Sequence, residues 1–496
     1  MIALTAAEIA HITNGTLVAD PGIVPLSVVT DSREAGPGSL YVAKPGEHAD
    51  GHNFVGAAFD RGAVLALCER KVADASGRPY PAVIVEDAVL AMGALAAEAV
   101  RRIRAERAAA GEQFTVIGIT GSAGKTTTKD LLAGILSKAG TTVAPQGSYN
   151  GEVGVPLTVF TADAGTRYLV IEMGATGLGH IQYLAEMVKP DIGVVLVVGT
   201  AHAGEFGGVE NIAKTKGELL EALSSNGTAV INLDDPRVAA MAPRTVAPIL
   251  GTSSSGAAGA AVEARNADID ALGHPAFDLV LPDGGGPRPV RSKLIGAHHL
   301  GNLLAAAAAA YAADIPGDDI AASLSEQTAA SRWRMERTER PDGVTVINDA
   351  YNANPESMRA ALRTLADIGQ GRRTWAVLGA MLELGEDSIR EHTAIGTQVV
   401  RLNISRLLVV GREARALYIS AIQEGSWGDE CVFTETADEA FELLQSQLEP
   451  GDLVLFKSSN GVGLRHLGDR IALAPRAGTT MDTAAVAAAD EGNELP

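Results

Sequence analysis

The stretch Val116–Leu132, VIGITGSAGKTTTKDLL, decides how the chain is read. An apolar, β-branched run meets a glycine-rich turn, then Lys125 and three threonines, then a helical pattern. Glycines let backbone N–H groups converge on an anion, and the N-terminus of the following helix adds the positive end of its dipole. Lys125 would bring a charge to the outer phosphates of a nucleotide, and Thr126 a hydroxyl to Mg²⁺. The spacing departs from G-x-x-x-x-G-K-[ST]. The first glycine would fall on Ile119, and the glycines here are Gly121 and Gly124. A glycine turn followed by a chance Lys-Thr pair is the plainer alternative. The strand before and the helix after favour a phosphate loop made of Gly121, Ser122, Ala123, Gly124, Lys125, Thr126 and Thr127.

Around this loop the bulk properties set limits. At 496 residues and 46% hydrophobic the chain is long enough for two to four domains. Charged or glycine residues interrupt every apolar run before membrane-spanning length. The first residues, MIALTAAEIAHITNG, lack the basic and apolar regions of a secretory signal. Cys68 and Cys431 lie too far apart in sequence to suggest a disulfide framework or a cysteine metal site. These features predict a cytoplasmic protein. A net charge of −20 argues against bulk nucleic-acid binding.

Short β-branched runs alternate with helical patterns, so the expected class is α/β with three domains. Composition shifts at RRIRAERAAAGEQ (101–113) and EQTAASRWRMERTERPDG (326–343) place the boundaries. The expectation is a small α/β N-terminal domain (1–112), a central P-loop ATPase domain on a parallel sheet (113–331) and a C-terminal Rossmann-like domain (332–471). Residues 472–496 read as a disordered tail. In the last domain GVTVIND, TWAVLG, SRLLVVG and GDLVLFK are the expected parallel strands. Residues 251–291 read as an inserted hairpin region.

Several single residues stand at strand ends. YLVIEMG is a buried strand closing on Glu172, where a carboxylate could bind Mg²⁺ or simply sit in a solvated turn. The strand in IGVVLVVGTAHAGEFGG leads to His202, a possible neighbour of Glu172. In GVENIAKTKGELLEAL, Ile212, Leu219, Leu220 and Leu223 form one helical stripe. Lys216 lies within that stripe and Lys214 does not. An unpaired buried ammonium is costly, so Lys216 should snorkel out, find a partner or be neutralised. A carbamate formed with CO₂ would turn it into an anionic metal ligand. In VTVINDAYNANPESMRAAL, Asn354 is a good helix N-cap and Pro355 suits the first turn. Asp349, Tyr351 and Asn352 are left to contact a ligand.

Taken in order along the chain, these segments resemble the Mur ligase family. DSREAGPGSLYVAKPGEHADGHNFVGAAFDRGA is similar to its UDP-substrate domain. TGSAGKTTTK, EVGVPLT, VIEMGA, GTAHAGEFGG and AKTKGEL are similar to its ATPase domain. GAHHLGNLLAAAAAA, RMERTE, DAYNANPESM, LGAMLELG and GDLVLFKSSNG complete the set. The match covers nearly the whole chain, and the displaced glycine of the phosphate loop belongs to that family as well. The DAYNANP segment, with no D-N-P-R segment, resembles the member that adds D-alanyl-D-alanine to a UDP-N-acetylmuramoyl-tripeptide.

That resemblance implies ATP, two Mg²⁺ ions and a carbamylated Lys216. It implies catalytic roles for Lys125, Lys216 and His202, and metal ligation by Thr126, Glu172, His202 and Lys216. Asn302, Arg334, Asp349 and Tyr351 join the phosphate loop in holding the nucleotide. Ser32, Arg33, Asp50, His52, Asn150, Asn352 and Asn354 are the expected substrate contacts. The implied enzyme is a cytoplasmic monomer with no nucleic-acid or membrane partner. Three positions depart from the family pattern: Gly151 replaces a second asparagine, Ala380 an aspartate, and Ser459-Asn460 stand where Ser-Arg is usual. Two other readings compete, an amide ligase with another amino-acid acceptor and a regulatory ATPase that does not ligate.

Overall fold

The computed structural model describes residues 2–46, 49–199, 206, 208–425 and 430–473. The tail expected at 472–496 therefore lies almost entirely outside the described residues. Three α/β domains are built on three sheets, and two compact units contain them. One unit comprises residues 1–270 and 274–331, the other residues 271–273 and 332–496.

In the first unit, a five-stranded sheet runs in the order Thr16–Val18, Ala82–Ile84, Leu65–Cys68, Ser39–Ala43, Ser27–Val29. All neighbours are parallel except the Thr16–Val18 edge. The helix Ala88–Ala109 follows, capped by the Asp87 carboxylate. Its stripe of Met92, Leu95, Ala99, Val100 and Ile103 is buried in a core shared by the first sheet and the next. Its charged end is tied forward as well. Arg104 pairs with Asp191, and Arg107 donates to the carbonyls of Gln113 and Ala164. The composition shift at 101–113 thus separates two sheets that share one apolar core.

The central nine-stranded sheet has the order Arg288–Arg291, Pro275–Val280, Val262–Ile269, Ile249–Ser253, Thr228–Asn232, Ile192–Val195, Thr115–Thr120, Tyr168–Glu172, Thr142–Val143. The last seven of these are parallel. The first three form an antiparallel meander, so the hairpin region expected at 251–291 is present. Its first residues, Gly251–Ser253, belong instead to a parallel strand, because that strand begins upstream at Ile249 in a run that periodicity did not isolate. The helix His299–Ala312 packs against the phosphate-loop helix Lys125–Leu136, with Ala305–Ala310 all buried.

The second unit holds a six-stranded sheet in the order Glu336–Glu339, Thr345–Asn348, Leu453–Lys457, Thr374–Leu378, Arg406–Val410, Cys431–Thr434. The four expected strands are all there and parallel to one another. Two further strands complete the sheet. Glu336–Glu339 is a charged antiparallel edge, and Cys431–Thr434 a parallel one. Leu453–Lys457 returns to the middle, between Thr345–Asn348 and Thr374–Leu378. That reversal of strand order opens a crevice at the carboxyl ends, where ligands of such sheets bind.

Candidate active site

The glycine loop leaves the carboxyl end of the central strand Thr115–Thr120 and enters the helix Lys125–Leu136. Gly124 caps that helix with φ of +84°, a left-handed conformation open to glycine. A Cβ there would also overlap the Asn302 amide, and one on Gly121 would stand 2.9 Å from Leu196 Cβ. Asn302 thus sits at the base of the loop, near Thr128 and hydrogen-bonded to His299. Lys125 folds its ammonium back onto the Gly121 carbonyl at 2.9 Å.

Thr126 reaches the next strand end. Its hydroxyl donates to Glu172 Oε2 at 2.9 Å, and both residues are buried. Ser148 and Asn150 donate to Glu172 Oε1 at 2.7 and 2.9 Å. Glu172 is therefore no solvated turn residue. It is surrounded by hydroxyl and amide side chains that carry lone pairs of their own. An oxygen-rich set of this kind suits a hard cation such as Mg²⁺. Ser148 is a neighbour the sequence reading missed; it lies in a loop with no periodic signal. Gly151 has open space where a Cβ would point, so the departure there disturbs no packing. His202 lies outside the described residues.

Lys216 is 6% exposed on a helix whose Ile212, Leu219 and Leu220 are buried, so it does not snorkel. Burial pushes its ammonium down to a pKa of about 7, and the positive charge of Lys125 adds to the shift. The same helix carries Glu218, whose carboxylate accepts the N–H groups of Gly179 and Gln182 at 2.8 and 3.0 Å. Glu218 caps the helix His180–Val188 and ties the segment after Glu172 to the helix bearing Lys216.

In the N-terminal domain, Asp50 and His52 hold a loop together. The Glu69 N–H donates to His52 Nε2 at 2.9 Å, so the ring donates from Nδ1 to Asp50 Oδ1. Arg70 binds the other oxygen and, with the His52 N–H, keeps the Asp50 carboxyl well below the usual carboxylate range. Arg33 is exposed and forks onto Asp31, while Ser32 is buried beside them.

In the second unit Asp349 stands just past the strand Thr345–Asn348. Its Oδ2 pairs with the buried Lys457 at 2.6 Å, and its Oδ1 accepts the Met335 N–H at 3.0 Å. Lys457 was missed, although it ends the expected strand GDLVLFK. It also donates to the Asn352 carbonyl. The Arg334 guanidinium lies over the Tyr351 ring at 4.4 Å. Asn354 caps the helix Pro355–Ile368 in a box with Ser357, so its side chain is engaged locally. Ser459 holds neighbouring loops, accepting the Leu382 N–H and donating to the Ala353 carbonyl. Asn460 receives Arg465. Position 380 contributes its carbonyl to the Ser459 N–H.

Comparison with known proteins agrees with this architecture. Three family models match: the Mur ligase family catalytic domain over residues 27–111, the Mur ligase middle domain over 119–310 and the Mur ligase glutamate ligase domain over 333–460. The chain is 42% identical to the UDP-N-acetylmuramoyl-tripeptide–D-alanyl-D-alanine ligase of Mycobacterium tuberculosis, over 95% of this chain and 98% of the relative. It is 33% identical to the enzyme of that name from Escherichia coli, over 84% and 88%. A crystal structure of MurF from Acinetobacter baumannii superposes with a TM-score of 0.83 at 30% identity, covering 95% of this chain and 99% of that one. MurF ligase from Thermotoga maritima in complex with ADP gives 0.75 at 27% identity, covering 90% and 97%. With all three domains matched in order, the chain belongs to the Mur ligase family.

Proposed function

We infer that the protein is an ATP-dependent carbon–nitrogen ligase that adds D-alanyl-D-alanine to UDP-N-acetylmuramoyl-tripeptide in peptidoglycan synthesis. The relatives that match nearly end to end carry that name, and one related structure holds ADP. The structural observation that carries the reading is the glycine loop joined, through Thr126, to Glu172 at the adjoining strand end.

The chemistry follows from a poor acylating agent. The tripeptide carboxylate attacks the γ-phosphorus of ATP, an O–P bond forms, and ADP leaves. The amine of D-alanyl-D-alanine then attacks the acyl carbon, loses a proton, and phosphate departs as the C–N bond forms. Lys125 would release the Gly121 carbonyl and spread the charge of the transferring phosphoryl group. Thr126 and Glu172 would hold Mg²⁺, with Ser148 and Asn150 in reach. When bound, it supplies positive charge to the phosphate oxygens. Arg334, Asp349 and Tyr351 are proposed to meet the nucleotide from the last domain, with Asn352 toward the substrate. Ser32 and Arg33 are proposed for the UDP-sugar, together with Asp50 and His52, which are tied to Glu69 and Arg70.

A second Mg²⁺ and a carbamate on Lys216 form the finer part of the proposal. A lysine with a pKa of about 7 is about half neutral at pH 7, against roughly one in 2,500 for an ordinary lysine. Only the neutral amine adds CO₂, so the burial that disfavours the charge permits the modification. ¹³C NMR with labelled bicarbonate tests it; no carbamate signal in the ATP-bound enzyme removes it. A nucleotide-linked substrate and ATP support a cytoplasmic reaction. No helix among the described residues is long and apolar enough to cross a membrane.

The deciding experiment is phosphate release from ATP with purified muramoyl tripeptide, with and without D-alanyl-D-alanine. Release and ligated product that require both are the expected result. Release that ignores the dipeptide, or a preference for another amine, removes the assignment.

A further inference from the structure

The backbone around Arg334 is unusual. Trp333 and Met335, on either side of it, have φ of +58° and +51°. Neither is glycine, and the left-handed region brings their Cβ atoms against the carbonyls. Two such residues flanking one arginine persist only where outside contacts over-determine them. On the Met335 side, the contact is its N–H donated to Asp349. On the Trp333 side, the N–H donates to Glu336 Oε2 at 2.8 Å.

The larger set of contacts converges on one carboxylate far along the chain. Asp469, on the helix Leu464–Leu473, accepts the Trp333 indole N–H at 2.9 Å and Arg332 Nη2 at 2.9 Å. It also accepts Asn348 Nδ2 at 3.0 Å. The guanidinium groups of Arg332 and Arg465 lie over the Trp333 ring at 4.8 and 5.3 Å. With the turn held so, Arg334 is laid on Tyr351, and its Nε is buried with no hydrogen-bond partner among the described residues. An arginine shelved on a ring keeps its terminal nitrogens for something else.

We propose that Asp469, acting through Trp333, is a positioning residue for the ligase reaction: it holds the left-handed turn that aims Arg334. The inference rests on the reading of Arg334 as a nucleotide contact. It adds a residue whose contacts are with Arg332, Trp333 and Asn348 and that lies on the last described helix.

The test is a double-mutant cycle in the full-length enzyme, read as kcat/KM for ATP in the dipeptide-dependent phosphate-release assay. Arg334→Ala should lower it about a hundredfold, as loss of one charged transition-state contact does. Asp469→Ala should lower it about tenfold, the scale of a misplaced contact. Combined with Arg334→Ala, Asp469→Ala should cost nothing further, because its effect passes through the arginine. Where Asp469→Ala does not fold, Trp333→Phe keeps the ring, removes the indole donor and enters the same cycle. An equal Asp469→Ala loss with and without Arg334 overturns the inference and leaves the Arg334 reading standing. Full activity of Arg334→Ala overturns that reading, and this inference with it.

Discussion

Glu172 and Asp349 occupy the same place in two different sheets. Glu172 ends the strand Tyr168–Glu172 and Asp349 follows the strand Thr345–Asn348. Their surroundings differ in kind. Around Glu172 stand Thr126, Ser148 and Asn150, groups that donate now and can turn a lone pair toward a cation. Around Asp349 stand the Lys457 ammonium and a backbone N–H, which only donate. One carboxylate is set among prospective metal ligands, the other is already neutralised by a buried ammonium. Position at a strand end therefore does not assign a carboxylate its task; the lone pairs of its neighbours do.

Substitutions can break that contrast. The largest loss is expected for Glu172→Gln, on the order of a thousandfold in rate, with the midpoint for Mg²⁺ activation moved upward. The melting temperature should fall only modestly, because the amide oxygen still accepts from Thr126 and the Ser148 hydroxyl can turn to accept from the amide nitrogen. A normal rate at low Mg²⁺ would make Glu172 a structural residue. Lys125→Ala should follow, at about a hundredfold or more in phosphoryl transfer with the fold intact. Retention of over a tenth of the activity counts against the phosphate loop. Lys216→Ala should also be inactive, and acetate, but not bicarbonate, should restore part of its rate by filling the vacated ligand position.

Asp349→Ala sharpens the other half. It strands a buried ammonium, and removing one partner of such a pair costs about 3–5 kcal/mol. The denaturation midpoint should fall accordingly, and Asp349→Ala with Lys457→Met should regain much of it. If the single variant is as stable as the parent, the Asp349–Lys457 pair does not hold that strand end together.

The smallest effect concerns His392, whose Nε2 accepts the Met381 N–H while Nδ1 faces the Ser388 carbonyl. The ring must be neutral to do both, and burial lowers its pKa. The unfolded chain then binds more protons, so stability should fall as pH drops below the ordinary histidine range near 6.5. The loss levels off below the folded-state value. His392→Gln should flatten that dependence in denaturant titrations between pH 5 and about 7.

Much of the site was legible because it is local. The glycine loop, Glu172 and the misfit Lys216 each break a short periodic pattern, and such breaks are visible in a window of a few residues. Lys457 was passed over because it reads as the polar end of a strand. Its partner Asp349 is 108 residues away, and no window spans that distance. Asp469 was missed for the same reason. The edge strand Glu336–Glu339 escaped because its residues, Glu-Arg-Thr-Glu, carry no apolar alternation. The clamp of Asp50 and His52 shows the converse, two recognisable residues whose partners Glu69 and Arg70 lie 17 and 20 residues further on, where no local pattern marks them.

The six alanines Ala305–Ala310 are all buried, on a helix that packs against the phosphate-loop helix, the central sheet and the helix Gly317–Glu326. A wall of single methyl groups has an asymmetric tolerance to change. Shaving any one of them to glycine costs about 1 kcal/mol of helix propensity and moves nothing nearby. Enlarging one to leucine costs about 1–3 kcal/mol in overpacking against whichever neighbour it faces, helix or sheet. Genetic variation should therefore accumulate there only toward smaller residues.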